Sequence, residues 1–237
     1  MTHYEAGAHQ AQMKILRTML LADGVNFAEL ARAADMTNDH ANFHLQQLVK
    51  NGYVRKLPKA HGKYELTRSG KEYANRMDTD DAQIEKQPKL SVVLVIERED
   101  GLHLQQRRLK QPYYGFWGHL TGKIRWGETM LEAAARELLE ETGLAATLRV
   151  AGFYHKLDYD DESGDLLEDK YFCIVHGTSP QGTLLTETDG QHNEWMTIEE
   201  FEKKDKKFGS VVETIEIIQG AQVQVRERKY RYNSDDY

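Results

Sequence analysis

Glu128, Arg136, Glu137, Glu140 and Glu141 stand at fixed offsets between two glycines in GKIRWGETMLEAAARELLEETGL, residues 122–144. Positions 137, 140 and 141 are related by three and four residues, so on a helix their carboxylates leave from one side. Like charges at that spacing cost about 0.2–0.5 kcal/mol per pair in water. A hard divalent cation reverses the sign, because Mg²⁺ favours carboxylate oxygens and retains part of its water. A cation held there attracts an anionic substrate and lowers the pKa of a bound water. On the glutamates alone, an exposed ion-paired helix is the simpler account. That account does not explain Gly122, Glu128, Arg136 and Gly143. They supply a loop glycine, an acidic helix start, a cation within reach of two glutamates, and a C-terminal stop.

As a pattern the stretch reads Gly122, five residues, Glu128, seven residues, Arg136-Glu137-Leu138, one residue, Glu140-Glu141, one residue, Gly143-Leu144. It resembles the Nudix box at every defining position, and the resemblance extends over residues of about 90–220. The resemblance implies Mg²⁺-dependent attack of water, with Mn²⁺ as a substitute, on the pyrophosphate of a nucleoside diphosphate linked to another moiety. It implies Glu137, Glu140 and Glu141 as metal ligands, assisted by the Gly122 carbonyl. Arg136 then orients the carboxylates and Glu128 completes the catalytic set. The general base is either a box glutamate or one from a later loop, where Glu187 and Glu194 are the candidates. The chain departs from many members in carrying Leu120-Thr121-Gly122 where they have Pro-Gly-Gly. An ADP-ribose-like compound or another nucleotide sugar is the preferred substrate. Nudix and winged-helix domains occur together in regulators of NAD metabolism, although usually in the opposite order. Tyr154, Tyr159, Phe116 and Trp126 are candidates for stacking on a base, core or rim being their commoner role.

These residues need a scaffold. KLSVVLVIERE and LHLQQRR read as a strand pair, while LRVAGFYHKLDY, KYFCIVHGTS and QHNEWMTIEEF supply later strands. Residues from Ile198 to Lys207 start a further helix. Leu138 and Leu144, with Ala134 and Ala135, anchor the box helix to a sheet. Strands with helices between and after them fit an α/β class, the Nudix α/β/α sandwich, over residues 90–237.

The first 77 residues read differently. MKILRTMLLADG, NFAELARAADM and TNDHANFHLQQLVKNG are three helical runs, the last opening on Thr37 as N-cap and closing at Gly52. YVRKL and GKYELT flank the basic loop PKAHG, and SGKEYANRM is a closing helix. ANFHLQQLVKNGYVRK with YELTRSGKEYA resembles the recognition helix, wing and closing helix of bacterial winged helix-turn-helix regulators, over residues of about 10–77. The implied domain is a small α+β unit that binds DNA. Asn38, His40, Asn42 and Phe43 face the bases, and Arg55, Lys56, Lys59, His61 and Lys63 meet phosphates. The same fold also serves as an interaction or dimerisation module.

Charge divides the chain at the same place. Residues 1–77 carry about 11 basic and about 7 acidic side chains, which leaves about −11 of the net −7 to the rest. MDTDDAQIEKQPK is polar with little periodicity, so residues 78–89 read as a linker. The lone Cys173 excludes an internal disulfide and reads as a buried strand thiol. No run of apolar residues suits a membrane span and the N-terminus lacks a signal-peptide pattern, so a cytoplasmic protein is expected. Two functions remain open: a hydrolase with an attached binding domain, and a nucleotide-sensing transcription regulator. Both are expected to act as a homodimer.

Overall fold

The computed structural model describes residues 10–58, 62–78 and 83–237. The chain divides into two units, Met1–Gln87 and Pro88–Tyr237. In the first, α1 (Gln10–Leu20) buries Ile15, Leu16 and Met19 at helical spacing. A short β1 (Val25–Asn26) leads into α2 (Phe27–Ala33), whose capping box pairs Asn26 with Glu29 in both directions. Next comes α3 (Asn38–Lys50). Thr37 has the extended backbone of an N-cap but makes no side-chain capping bond. Strands β2 (Val54–Lys56) and β3 (Lys63–Leu66) form a hairpin, and β1 joins it to give the antiparallel order β1-β3-β2. Thr67 caps α4 (Arg68–Ala74), accepting from the Gly70 N–H. A Cβ on Gly70 would lie 1.9 Å from the Tyr53 carbonyl oxygen, so only glycine lets α4 approach the turn after α3. Leu30, Leu45, Leu48 and Val54 complete this core.

Within the stretch read as a linker, the described residues include part of a short strand pair and the start of the next strand. Met77–Asp78 (β4) pairs antiparallel with Gln83–Ile84 (β5), Met77 is buried in the first core, and Lys89 already opens the next strand. Two-residue strands are too short to show a period.

In the second unit β6 (Lys89–Ile96), β7 (His103–Arg108), β8 (Trp117–Gly118) and β9 (Leu120–Lys123) precede α5 (Met130–Thr142). Two long strands follow, β10 (Leu144–Asp160) and β11 (Leu166–Gly182). Then come β12 (Glu187–Thr188), β13 (Gln191–Met196), α6 (Ile198–Glu202), α7 (Ser210–Gln219) and β14 (Gln224–Tyr232). The main sheet is mixed, in the order β14-β10-β11-β6-β9, beside a four-stranded sheet β12-β13-β7-β8. One face of the main sheet packs Val92, Leu94, Cys173 and Val175 against Ala133, Ala134 and Leu138 of α5. The other packs Val93, Val95 and Ile174 against Ile215, Ile217 and Ile218 of α7. This is a mixed α/β sandwich. Covered on both sides, β6 is buried continuously from Ser91 to Ile96, as its VVLVI run requires. Ala133, not Ala135, anchors α5: position 135 falls on the outer side of the helical period and is exposed. The expected helix from Ile198 ends at Glu202. Among the described residues no helix is long and apolar enough to cross a membrane.

Candidate active site

Helix α5 is fixed at both ends. Thr129 and Glu132 form a capping box, and Gly143 closes the helix at φ +71°, a conformation that favours glycine. Between them Arg136 gathers the acidic side chains. Its Nε donates to Glu128 Oε1 at 2.6 Å and a terminal nitrogen to Glu128 Oε2 at 2.8 Å. The other terminal nitrogen donates to Glu137 at 2.7 Å and to Glu140 at 3.2 Å. The hydrogen bonds from Arg136, with a further one from the Arg125 N–H, lower the Glu128 pKa to about 2. Arg136 itself is held cationic by the same contacts, that to Glu128 first. Only the Glu140 contact follows from i, i+4 spacing; the loop before the helix brings Glu128 to clamp the arginine, which also reaches the adjacent Glu137.

Glu141 faces inward and is held differently. Gln106 of β7 donates to Oε2 at 3.2 Å and Gln191 of β13 to Oε1 at 2.8 Å. Burial raises its pKa against those two bonds. Opposite, β9 runs past α5 with Gly122 facing Glu137: a Cβ there would lie 2.0 Å from Glu137 Cγ. The backbone reaches the carboxylate only because residue 122 has no side chain.

Glu137, Glu141 and Gly122 line a cleft of about 600 Å³ together with Arg108, Lys110, Lys123 and Arg125. Glu140 and Glu128 lie off the cleft; Glu140 is 49% exposed and also takes Arg125 at 3.2 Å. The three expected ligands are therefore split, and no group of three His, Cys, Asp or Glu is poised around one point among the described residues. The donors still suit a hard cation: two carboxylates and a strand backbone in close approach are all oxygen ligands. The later-loop glutamates are elsewhere. Glu187 pairs with His192 and is 64% exposed, Glu194 lies 3.7 Å from Lys204, and neither lines the cleft.

The aromatic candidates separate into core and rim. Phe116 is buried, Tyr154 is 1% exposed with its hydroxyl against that of Tyr230, and Trp126 is fully exposed. Tyr159 faces Lys229 at 5.8 Å. Among the cleft's other charged residues, sequence reasoning missed Lys89, Arg108, Lys110, Lys123, Arg125, Lys156, Asp158, Glu168 and Lys170. A signal existed. Lys156 and Asp158 follow Tyr154 at period two on a strand whose inward positions are buried, so they had to be inward charges.

In the first unit Asn38, His40, Asn42 and Phe43 are all exposed on one side of α3. His40 Nε2 lies 3.0 Å from Nε2 of the buried His44. Lys56 and Lys63 are exposed, whereas Arg55 is paired with Glu65 at 2.6 Å. Lys59 and His61 lie outside the described residues.

A family model for the NUDIX domain matches residues 87–213. An octanoyltransferase of Myxococcus xanthus is 32% identical over 84 residues, which are 35% of this chain and 23% of that protein's length. Among solved structures, a mutator MutT protein of Bacillus halodurans is similar with a TM-score of 0.50 at 20% identity, covering 63% of this chain and 93% of that one. The NUDIX domain of NrtR from Shewanella oneidensis, crystallised with ADP ribose, has a TM-score of 0.49 at 17% identity, covering 65% and 97%. The MutT likeness is one of fold.

Proposed function

The chain belongs to the Nudix family of pyrophosphohydrolases, and from that premise we propose that its second unit hydrolyses the pyrophosphate of a nucleoside diphosphate joined to another moiety, with an ADP-ribose-like compound or other nucleotide sugar preferred. The supporting observation is the juxtaposition of Glu137, Glu141 and Gly122 with four cationic side chains around one cleft. Bound Mg²⁺, or Mn²⁺, supplies charge neutralisation and a more acidic water. Glu137 and Glu141 at the cleft, with the Gly122 carbonyl, are the residues that would hold it, and Glu140 would join them by turning from Arg125 and Arg136. Arg136 stays anchored by its two bonds to Glu128 while its other bonds exchange, which keeps the helix face aligned. Arg108, Lys110, Lys123 and Arg125 take the phosphate oxygens. The base in this reading is a box glutamate that lines the cleft, Glu137 or Glu141, which is supported by the exposed positions of Glu187 and Glu194 away from it. The test is a hydrolysis screen over dinucleotides and nucleotide sugars, with and without Mg²⁺. Turnover that ignores both Mg²⁺ and Glu137→Gln sinks this reading.

A second role belongs to the first unit. Three helices, a hairpin with Lys56 and Lys63 on its surface, and the exposed polar side of α3 support a winged helix-turn-helix that binds DNA. With it, the chain acts as a homodimer and as a nucleotide-responsive regulator that retains hydrolysis. Gel-shift titration of duplex DNA tests this, and absence of binding at low salt leaves an interaction module.

A further inference from the structure

Two arginines hold Glu140, and they are tied down very differently. Arg136 spreads its bonds over Glu128, Glu137, Glu140 and the Lys123 carbonyl. Arg125 is anchored by its backbone instead. Its N–H donates to the Glu128 carboxylate at 2.9 Å, and its carbonyl accepts from the Glu128 N–H at 3.0 Å. Its side chain is exposed, and among the described residues its guanidinium makes one ion pair, to Glu140 at 3.2 Å. Both arginines donate to the same oxygen, Oε2 of Glu140.

The arrangement sets up a competition. Glu137 and Glu141 line the cleft and Glu140 does not, whereas Arg125 does. One of the two groups that keep Glu140 turned away therefore stands on the wall that substrate phosphates would meet. A guanidinium takes phosphate through two parallel bonds, a better match than one long contact to a single carboxylate oxygen. An exposed ion pair is weak and readily surrendered. Once Arg125 turns to a diphosphate, Glu140 keeps only Arg136, whose two bonds to Glu128 do not depend on it. Support of α5 by a surface ion pair is the plainer account. It leaves unexplained why the arginine of that pair also lines the cleft.

We propose that Arg125 is a substrate-operated latch on Glu140, holding the third carboxylate off the cleft until a diphosphate takes the guanidinium and releases it. This rests on the pyrophosphohydrolase reading for the position of the diphosphate. In this role Arg125 is a positioning residue, because it reaches the metal site only through Glu140. The cleft gains its third carboxylate when the nucleotide is in place, so metal and nucleotide each raise the other's affinity by the same factor.

The test is the Mn²⁺ affinity of the full chain, read by electron paramagnetic resonance, with and without α,β-methylene-ADP, whose diphosphate bridge resists cleavage. Without the analogue, Arg125→Gln binds Mn²⁺ about threefold more tightly than the parent, the scale expected of an exposed ion pair. In a Glu140→Gln background the same change has no effect, which separates release of Glu140 from removal of one positive charge beside the cleft. With the analogue bound, the advantage of Arg125→Gln disappears and Glu140→Gln alone weakens Mn²⁺ binding several-fold. Both side chains are exposed and both changes conserve shape, so the variants fold, and thermal melts check that. Equal Mn²⁺ affinity of parent and Arg125→Gln without the analogue overturns the latch. So does a gain that persists beside Glu140→Gln, or analogue-bound affinity that ignores Glu140→Gln. Failure of the hydrolase reading looks different: the coupling of Arg125 to Glu140 stands while Mg²⁺-dependent turnover is absent for every nucleotide screened.

Discussion

A methyl group on Gly122 would stand 2.0 Å from Cγ and 2.2 Å from Cδ of Glu137, inside any contact distance two carbons tolerate. Gly122→Ala must therefore push α5 away from β9 or rotate Glu137 out of the cleft. Turnover should fall about tenfold or more, with a lowered melting temperature, and steady-state kinetics beside thermal melts check both. Glu137→Gln makes the contrasting case, because it preserves shape and removes only charge. Its kcat should fall at least about tenfold while the melting temperature holds, as expected when a metal-facing carboxylate is lost. Wild-type rates in that variant would remove Glu137 from the site. Much of this chemistry was legible from spacing, since Glu128, Arg136 and Glu137 are local neighbours on one helix and its cap. The inward turn of Glu141 was not. Its partners Gln106 and Gln191 come from β7 and β13, 35 and 50 residues away, and no local rule relates them.

Among the elements, the long β10–β11 hairpin carries a pH dependence of its own. On β10, His155 lies between Asp169 of β11 at 2.9 Å and Glu227 of β14 at 3.0 Å, stacked on Tyr171 at 3.9 Å. Burial lowers its pKa, but the bonds to Glu227 and Asp169 outweigh that and the pKa is raised. A histidine whose folded pKa exceeds its unfolded value stabilises fully below the unfolded value, near 6.5, and loses that contribution as pH rises through the folded one. The urea midpoint of the second unit should therefore exceed that of His155→Gln at pH of about 6. The gap should close on moving to mildly alkaline pH, and a gap independent of pH would exclude the ion-paired imidazolium. Helices were legible because their period spans several residues, and the VVLVI strand because its apolar run is unbroken. The two-residue strands were not, because a period needs length. Strand β14 was missed although Tyr230 and Tyr232 alternate with cations, the pattern expected of a half-covered edge strand.

For the whole molecule the question is whether a basic-leaning first unit and an acidic second unit work together. If the first unit binds DNA, phosphate contacts release counterions, so affinity must fall linearly with salt on a logarithmic scale. Lys56→Glu with Lys63→Glu, both exposed, should weaken binding to all sequences alike and flatten that slope. Regulation demands more than binding. In a homodimer two recognition helices must reach successive major grooves, so a nucleotide acts on DNA affinity only by favouring one spacing of the two copies. Linkage then runs both ways: DNA that prefers this spacing must alter nucleotide affinity by the same factor. The measurement is nucleotide affinity of the full chain in Ca²⁺, which separates binding from turnover, with and without the duplex that binds best. A regulator shows equal factors in the two directions, about fivefold or more for the usual coupling of 1–3 kcal/mol. Identical nucleotide affinities, in a chain that binds that duplex well, would mean that the first unit only places a hydrolase on DNA. In that case Lys56→Glu with Lys63→Glu would abolish the placement and leave the rate of pyrophosphate cleavage untouched.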